Sequence, residues 1–146
     1  MNYYHDHFKF TYRTLYTACA TNSRPANMSI KQFLDMASQF VDHVSLHHSI
    51  EETHIYPLLA QRMPAFKQEM ELLDQHKQIH KGIDELGQYV EECRRGEKEL
   101  RLAEMKGVLD GFGGVLAEHL DEEVGNLGAE HMRKYWSVDE MKRMPM

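Results

Sequence analysis

Only two cysteines occur in this 146-residue chain, Cys19 and Cys93, and they share no CxxC or zinc-type spacing. That scarcity excludes a disulfide framework and a cysteine-ligated metal site. Both read as small buried thiols in a reducing compartment, with cytoplasm as the expected location. No apolar run approaches the roughly 20 residues needed to cross a bilayer, and residues 1–10 lack signal-peptide character. Lys and Arg form no cluster and the net charge is −6, so neither nucleic acid nor an anionic membrane is an expected partner. Strand signals, internal repeats and low-complexity stretches are missing too.

What is present fits a single helical domain large enough for a full core. Helix A is predicted over about residues 3–20, with an apolar stripe at Phe8, Tyr12, Leu15 and Cys19 that runs back to His5. Asn22, Ser23 and Pro25 break the pattern, and Ser29-x-x-Gln32 reads as a capping box opening helix B. Its stripe is Ile30, Phe33, Ala37, Phe40, Val44, His47 and Glu51. Pro57 must kink or end that helix, and Pro64 marks the next turn. Helix C is predicted over about 65–93 with Leu73, His76, His80, Ile83, Gly87 and Val90 in phase, and Gly96 as its stop. Helix D carries Leu102, Met105, Leu109, Phe112, Leu116, His119 and Glu123 in phase. Its four glycines, 107, 111, 113 and 114, weaken it, which a close approach at Gly107 and Gly111 or a bend at 113–114 would explain.

Histidines and glutamates thus continue the apolar stripes. His47/Glu51, His76/His80 and His119/Glu123 are spaced i,i+4, which puts each pair on one helix face. An up-down-up-down bundle with one internal site needs ligands early in A, late in B, early in C and late in D; that order is found. Burying five imidazoles and two carboxylates without a cation would cost several kcal/mol. Imidazole and carboxylate donors suit iron, manganese or zinc. Two six-coordinate ions offer about twelve positions; five imidazoles, two bridging carboxylates and one oxo or hydroxo bridge leave one open for a small exogenous molecule. Ferritin-like dimetal sites need two Glu-x-x-His motifs, but only Glu51-x-x-His54 is present, and no His-Glu-x-x-His occurs.

The ordered set His47-His48-Ser-Ile-Glu51-Glu52 running into Ile55-Tyr56-Pro57, His76-Lys-Gln-Ile-His80 and His119-Leu-Asp-Glu-Glu123 resembles the hemerythrin family of His-His-Glu cation-binding domains. The resemblance covers helices A–D, and implies a left-turning four-helix bundle around a non-haem di-iron centre. It further implies that His76, His80 and His119 serve one iron, His5 and His47 the other, with Glu51 and Glu123 bridging. Val124 stands where oxygen-carrying hemerythrins have an Asp. The His-x-x-x-Glu at 119–123 is more similar to iron-sensing, iron-centre-repair and fungal hemerythrin-like domains.

Two registers stay open: His48/Glu52 repeats the spacing of His47/Glu51, and His7 neighbours His5, though the stripes favour His47/Glu51 and His5. His54, one turn beyond Glu51, reads as a support to the ligands or a satisfied core histidine, with a ligand role the alternative. The expected function is a di-iron protein binding O2 or a related small ligand (NO, peroxide). Alternatives are a redox enzyme acting on peroxide or NO, with Tyr12 as a possible redox phenol, and iron sensing or storage. The bundle is assigned to residues 1–127. Residues 128–146 form an extension, opened in part by the capping box Ser137-x-x-Glu140, whose Met132, Tyr135 and Trp136 fold back over the site.

Overall fold

Ser29 and Gln32 cap each other as their spacing predicts: the Ser29 hydroxyl accepts from the Gln32 amide at 3.1 Å while the Gln32 side chain accepts from the Ser29 amide at 2.9 Å. In this computed structural model, which describes residues 2–63, 70–127 and 132–144, the helix so opened is the second of a bundle. Its long members are α1 (Asn2–Ala20), α2 (Ile30–Ile50), α4 (Met70–Arg94) and α5 (Leu102–Leu127). A π-helical turn, Glu51–Ile55, joins α2 to the short α3 (Tyr56–Leu59), and α6 (Val138–Lys142) follows the bundle. The chain is all-α, with no strand among the described residues. Pro64, the start expected for helix C at 65–69, and His131 lie outside those residues.

The helices pack around a ring, α1 on α2, α2 on α4, α4 on α5 and α5 back on α1. The interior is filled by Phe8 and Leu15 of α1, Phe33, Phe40 and Val44 of α2, Ile79, Ile83 and Leu86 of α4, and Met105, Leu109, Phe112 and Leu116 of α5. Each such side chain contributes roughly 1.5–3 kcal/mol on burial. Among the described residues no helix is long and apolar enough to cross a membrane.

Three details differ from the stripes read in the sequence. Ile30 is exposed, because it sits in the first turn beyond the packed face. The inward face of α4 follows His76, Ile79, Ile83, Leu86 and Val90, so Leu73, His80 and Gly87 fall at its edge. In α5, Gly107 and Gly111 face open space; the close approach is made at Gly113, where a Cβ would stand 2.0 Å from the Tyr12 hydroxyl. Tyr12 reaches past it to donate to the Leu109 carbonyl at 2.8 Å. Gly82 of α4 is as tight, lying against Phe112. At the end of α4, Gly96 has φ +76, a left-handed stop that favours glycine.

Helix B neither ends nor breaks at Pro57. Proline has no N–H, and its ring would clash with the carbonyl four residues back. The backbone widens just before it, and the Tyr56 amide reaches the Glu51 carbonyl, five residues away. In a regular α-helix residues five apart diverge by roughly 140°; the wider turn brings Glu51 and Tyr56 to one face. Both are fully buried.

Candidate metal centre

Four helix ends deliver the polar side chains to one layer. The start of α1 brings His5, the end of α2 His47 and His48, the π-turn Glu51, the start of α4 His76, and the end of α5 His119 and Glu123. All are fully buried except His47, whose side chain is 12% exposed. Ligand-capable atoms of His48, Glu51, His76 and His119 lie within 4.8 Å of one another, and those of His5, His47 and Glu123 do likewise.

Glu123 links the two groups. Its Oε1 is 2.8 Å from His119 Nε2 and its Oε2 is 2.9 Å from His5 Nε2. Glu51 Oε1 is 2.8 Å from His47 Nε2. The His48 ring stacks on that of His76 at 3.8 Å and stands edge-on to His119 at 5.3 Å. Both carboxylates are therefore shared between imidazoles from different helices.

An outer set of side chains orients two of these rings. His76 Nδ1 lies 2.7 Å from the Glu52 carboxylate, so it carries the proton. His119 Nδ1 lies 2.8 Å from Gln75 Oε1, and the Gln75 amide is held that way round by donating to Glu122 at 3.1 Å. With Nδ1 so engaged, each ring turns its Nε2 toward the cluster. The two Nε2 atoms are 2.9 Å apart. That spacing suits either a proton shared between the two nitrogens or a metal ion bound by both.

The remaining polar atoms ask for compensation. Both nitrogens of His48, Nδ1 of His5 and Oε2 of Glu51 are buried without a hydrogen-bond partner, and the close pairs His5–Glu123 and His47–Glu51 are not aligned as hydrogen bonds. Burial and the facing Glu123 push the Glu51 carboxyl up, whereas Glu123, against its own burial, is held well below the usual range by Glu51, His119, His5 and His76. Burial likewise pushes His47 down to about 4 and lowers His48 further. Without a cation the pocket admits one net negative charge in place of two and keeps His47 and His48 neutral. Neutral imidazoles and shared carboxylates are the forms that bind metal, so the residues fit a metal centre on their own chemistry.

Six of the seven side chains singled out in the sequence meet here: His5, His47, Glu51, His76, His119 and Glu123. His80 stands apart. It is partly exposed, its ring 6.5 Å from His76 and 5.3 Å from His48, beside a surface depression shared with Glu52 and Lys77. Of the open registers, His5 is buried and His7 exposed, and His48 joins the cluster beside His47; His54 points to solvent. Tyr12 is bound to Leu109 well down the bundle. The phenol at the centre is Tyr56, whose Oη donates to Glu123 Oε1 and lies 3.2 Å from His76 Nε2. Sequence reasoning gave no role to Tyr56 or Gln75 and weighed Glu52 only as a ligand paired with His48. The available signal was Pro57, because a widened turn before it changes which residues face inward.

A family-level comparison bears directly on this arrangement, matching residues 1–129 to the hemerythrin HHE cation-binding domain. The chain belongs to the hemerythrin family. Comparisons with curated proteins and with solved structures give no match. As a hemerythrin-type domain the chain is a cation-binding bundle, and its buried His/Glu cluster is where a cation would be held.

A groove leads from outside to the hemerythrin centre. Between α1 and α2 a largely apolar groove of about 360 Å³ runs in past Tyr4, Leu46 and Ile50 to Phe8 and His47. At the bundle end Ile55, Tyr56, Leu59 and Met63 form a second cluster with Met132 and Trp136. Arg62 ties it down, stacking 4.6 Å from the Trp136 ring and pairing with Glu140 at 2.7 Å.

Proposed function

We propose that this domain holds two iron ions joined by an oxo or hydroxo bridge and takes a small ligand, O2 or a relative such as NO or peroxide. The observation that carries the reading is the pair of inward Nε2 atoms on His76 and His119, held by Glu52 and Gln75. His76, His119 and His48 would serve one ion, His5 and His47 the other, and Glu51 and Glu123 would bridge. His48 takes the place the sequence assigned to His80. Bound iron supplies an open coordination position and reversible change of oxidation state.

The chain's own residues do the rest. The groove ending on His47 admits small uncharged molecules through apolar side chains. Phe8, Val44, Ile83, Phe112 and Leu116 exclude water from below. Met132 and Trp136 of the extension cover the opposite end and retain the ions. A second reading, redox turnover of peroxide or NO, is favoured by the phenol of Tyr56 at the centre. Mixing the reduced, iron-loaded protein with O2 separates the two. A stable, reversible change in the optical spectrum supports ligand carriage, and immediate irreversible oxidation supports redox turnover or sensing. Protein that retains no iron disproves both.

A further inference from the structure

Four donor atoms at the centre form a closed ring. His76 Nε2 and His119 Nε2 are 2.9 Å apart, His119 Nε2 and Glu123 Oε1 are 2.8 Å apart, and Tyr56 Oη is 3.2 Å from His76 Nε2. Tyr56 Oη donates directly to Glu123 Oε1, which closes the ring. Its diagonal, from His76 Nε2 to Glu123 Oε1, is 3.8 Å. Ligands bound at right angles with bonds of roughly 2.0–2.2 Å stand about 3 Å apart along an edge and about 4 Å across. Three of its edges and this diagonal match those dimensions; the Tyr56–Glu123 edge is shorter and would have to open for an ion to enter. Three of its corners are side chains already read as metal donors; the fourth is a phenol.

We propose that Tyr56 is itself an iron ligand, completing an equatorial plane with His76, His119 and Glu123. This rests on the metal-centre reading above and changes what that centre does. The phenol exchanges its O–H bond for an O–Fe bond, and the proton leaves to solvent. A phenolate is a hard anionic donor and favours iron(III) over iron(II). It also fills the position otherwise open, so a small anion must displace Tyr56 to bind the oxidised protein. The widened turn before Pro57 is what delivers Tyr56 to this position. Tyr12, on the same helix face as His5, is spent on a backbone carbonyl instead.

The test is an optical and resonance Raman spectrum of the iron(III)-loaded full chain, repeated on Tyr56→Phe, with azide as the probe ligand. A phenolate-to-iron(III) band with tyrosine ring modes is expected in the wild type and not in Tyr56→Phe, at equal iron content. Azide is expected to bleach that band, and to bind Tyr56→Phe on the order of tenfold more tightly because no ligand has to leave. Wild-type protein that retains iron without the band overturns the Tyr56 assignment alone. A band that persists in Tyr56→Phe does the same. Wild-type protein that retains no iron overturns the metal-centre reading, and the Tyr56 assignment with it. If Tyr56→Phe does not fold, the tyrosine ring modes of the wild type, present or absent, still decide.

Discussion

The Glu52 carboxylate lies 2.7 Å from His76 Nδ1, on the far side of the ring from the cluster. Glu52 is more than a third exposed while His76 is fully buried, so a surface charge fixes the tautomer of an interior ring. Removing such an outer partner commonly costs 10–100-fold in metal affinity. Glu52→Ala is expected to weaken iron binding by about that factor, with folding little changed. Competition against a chelator measures it; unchanged affinity would mean that His76 is oriented by other contacts.

The exchange of His48 for His80 gives a second expectation. His48→Ala is expected to lose iron and thermal stability together, as are His119→Ala and Glu51→Ala. His80→Ala is expected to retain most of its iron, since its ring sits at the rim of the cluster. Metal analysis of the variants side by side decides it, and the reverse ranking would restore the register read from the sequence.

That register shows what could and could not be read in advance. The four helices, both capping boxes and the inward placement of His5, His47, Glu51, His76, His119 and Glu123 were legible, because apolar residues at 3,4 steps define each helix face. His80 was read as inward-facing and is half-buried, because α4 carries two overlapping 3,4 stripes, one through Leu73, His76 and His80, the other through His76, Ile79 and Ile83. Only the packing of α4 against both α2 and α5 chooses between them. Tyr56 was obscured by the π-turn, which shifts the phase of the residues beyond it; His48 precedes that turn, four residues after the buried Val44, and was one of the registers left open. Tyr12 lay on the right face, but distance along the bundle took it from the centre.

Acid is expected to destabilise the protein stripped of metal. His47 sits at about 4 in the fold against 6.5 unfolded, and His48 is shifted the same way. Between those values the unfolded chain binds protons that the folded chain does not, so stability falls as pH drops through that window and is insensitive to these groups above it. Urea midpoints taken from pH 7 to 4 check the sign. Glu51, pushed up to about 11, takes up one proton on folding and works the other way. The net fall of two imidazoles against one carboxyl is therefore read between about pH 6 and 4.5, and a midpoint that rises there on acidification would contradict the burial of neutral imidazoles.

Two glycines should respond oppositely to alanine. At Gly82 a Cβ would lie 2.3–2.5 Å from Phe112, near the root of that side chain where little can move, so Gly82→Ala is expected to cost about 1–3 kcal/mol. At Gly111 nothing lies within 4 Å, and Gly111→Ala is expected to add roughly 0.5–1 kcal/mol by favouring the helix. Denaturant unfolding of both variants measures the pair, and equal shifts would mean that α4 and α5 pack less closely than described here.

Removing residues 128–146 takes away Met132 and Trp136 from the cluster over Tyr56 and Leu59. Iron is then expected to leave to a chelator faster, with its equilibrium ligands unchanged. An unaltered release rate would rule out a covering role for the extension.

Metal content tests the whole account most directly. The protein is loaded anaerobically with ferrous salt, freed of excess and analysed for iron and thermal unfolding. About two irons per chain, with a raised unfolding temperature, is the expected result for a seven-donor centre of this kind. Protein that folds equally well and keeps none would contradict it.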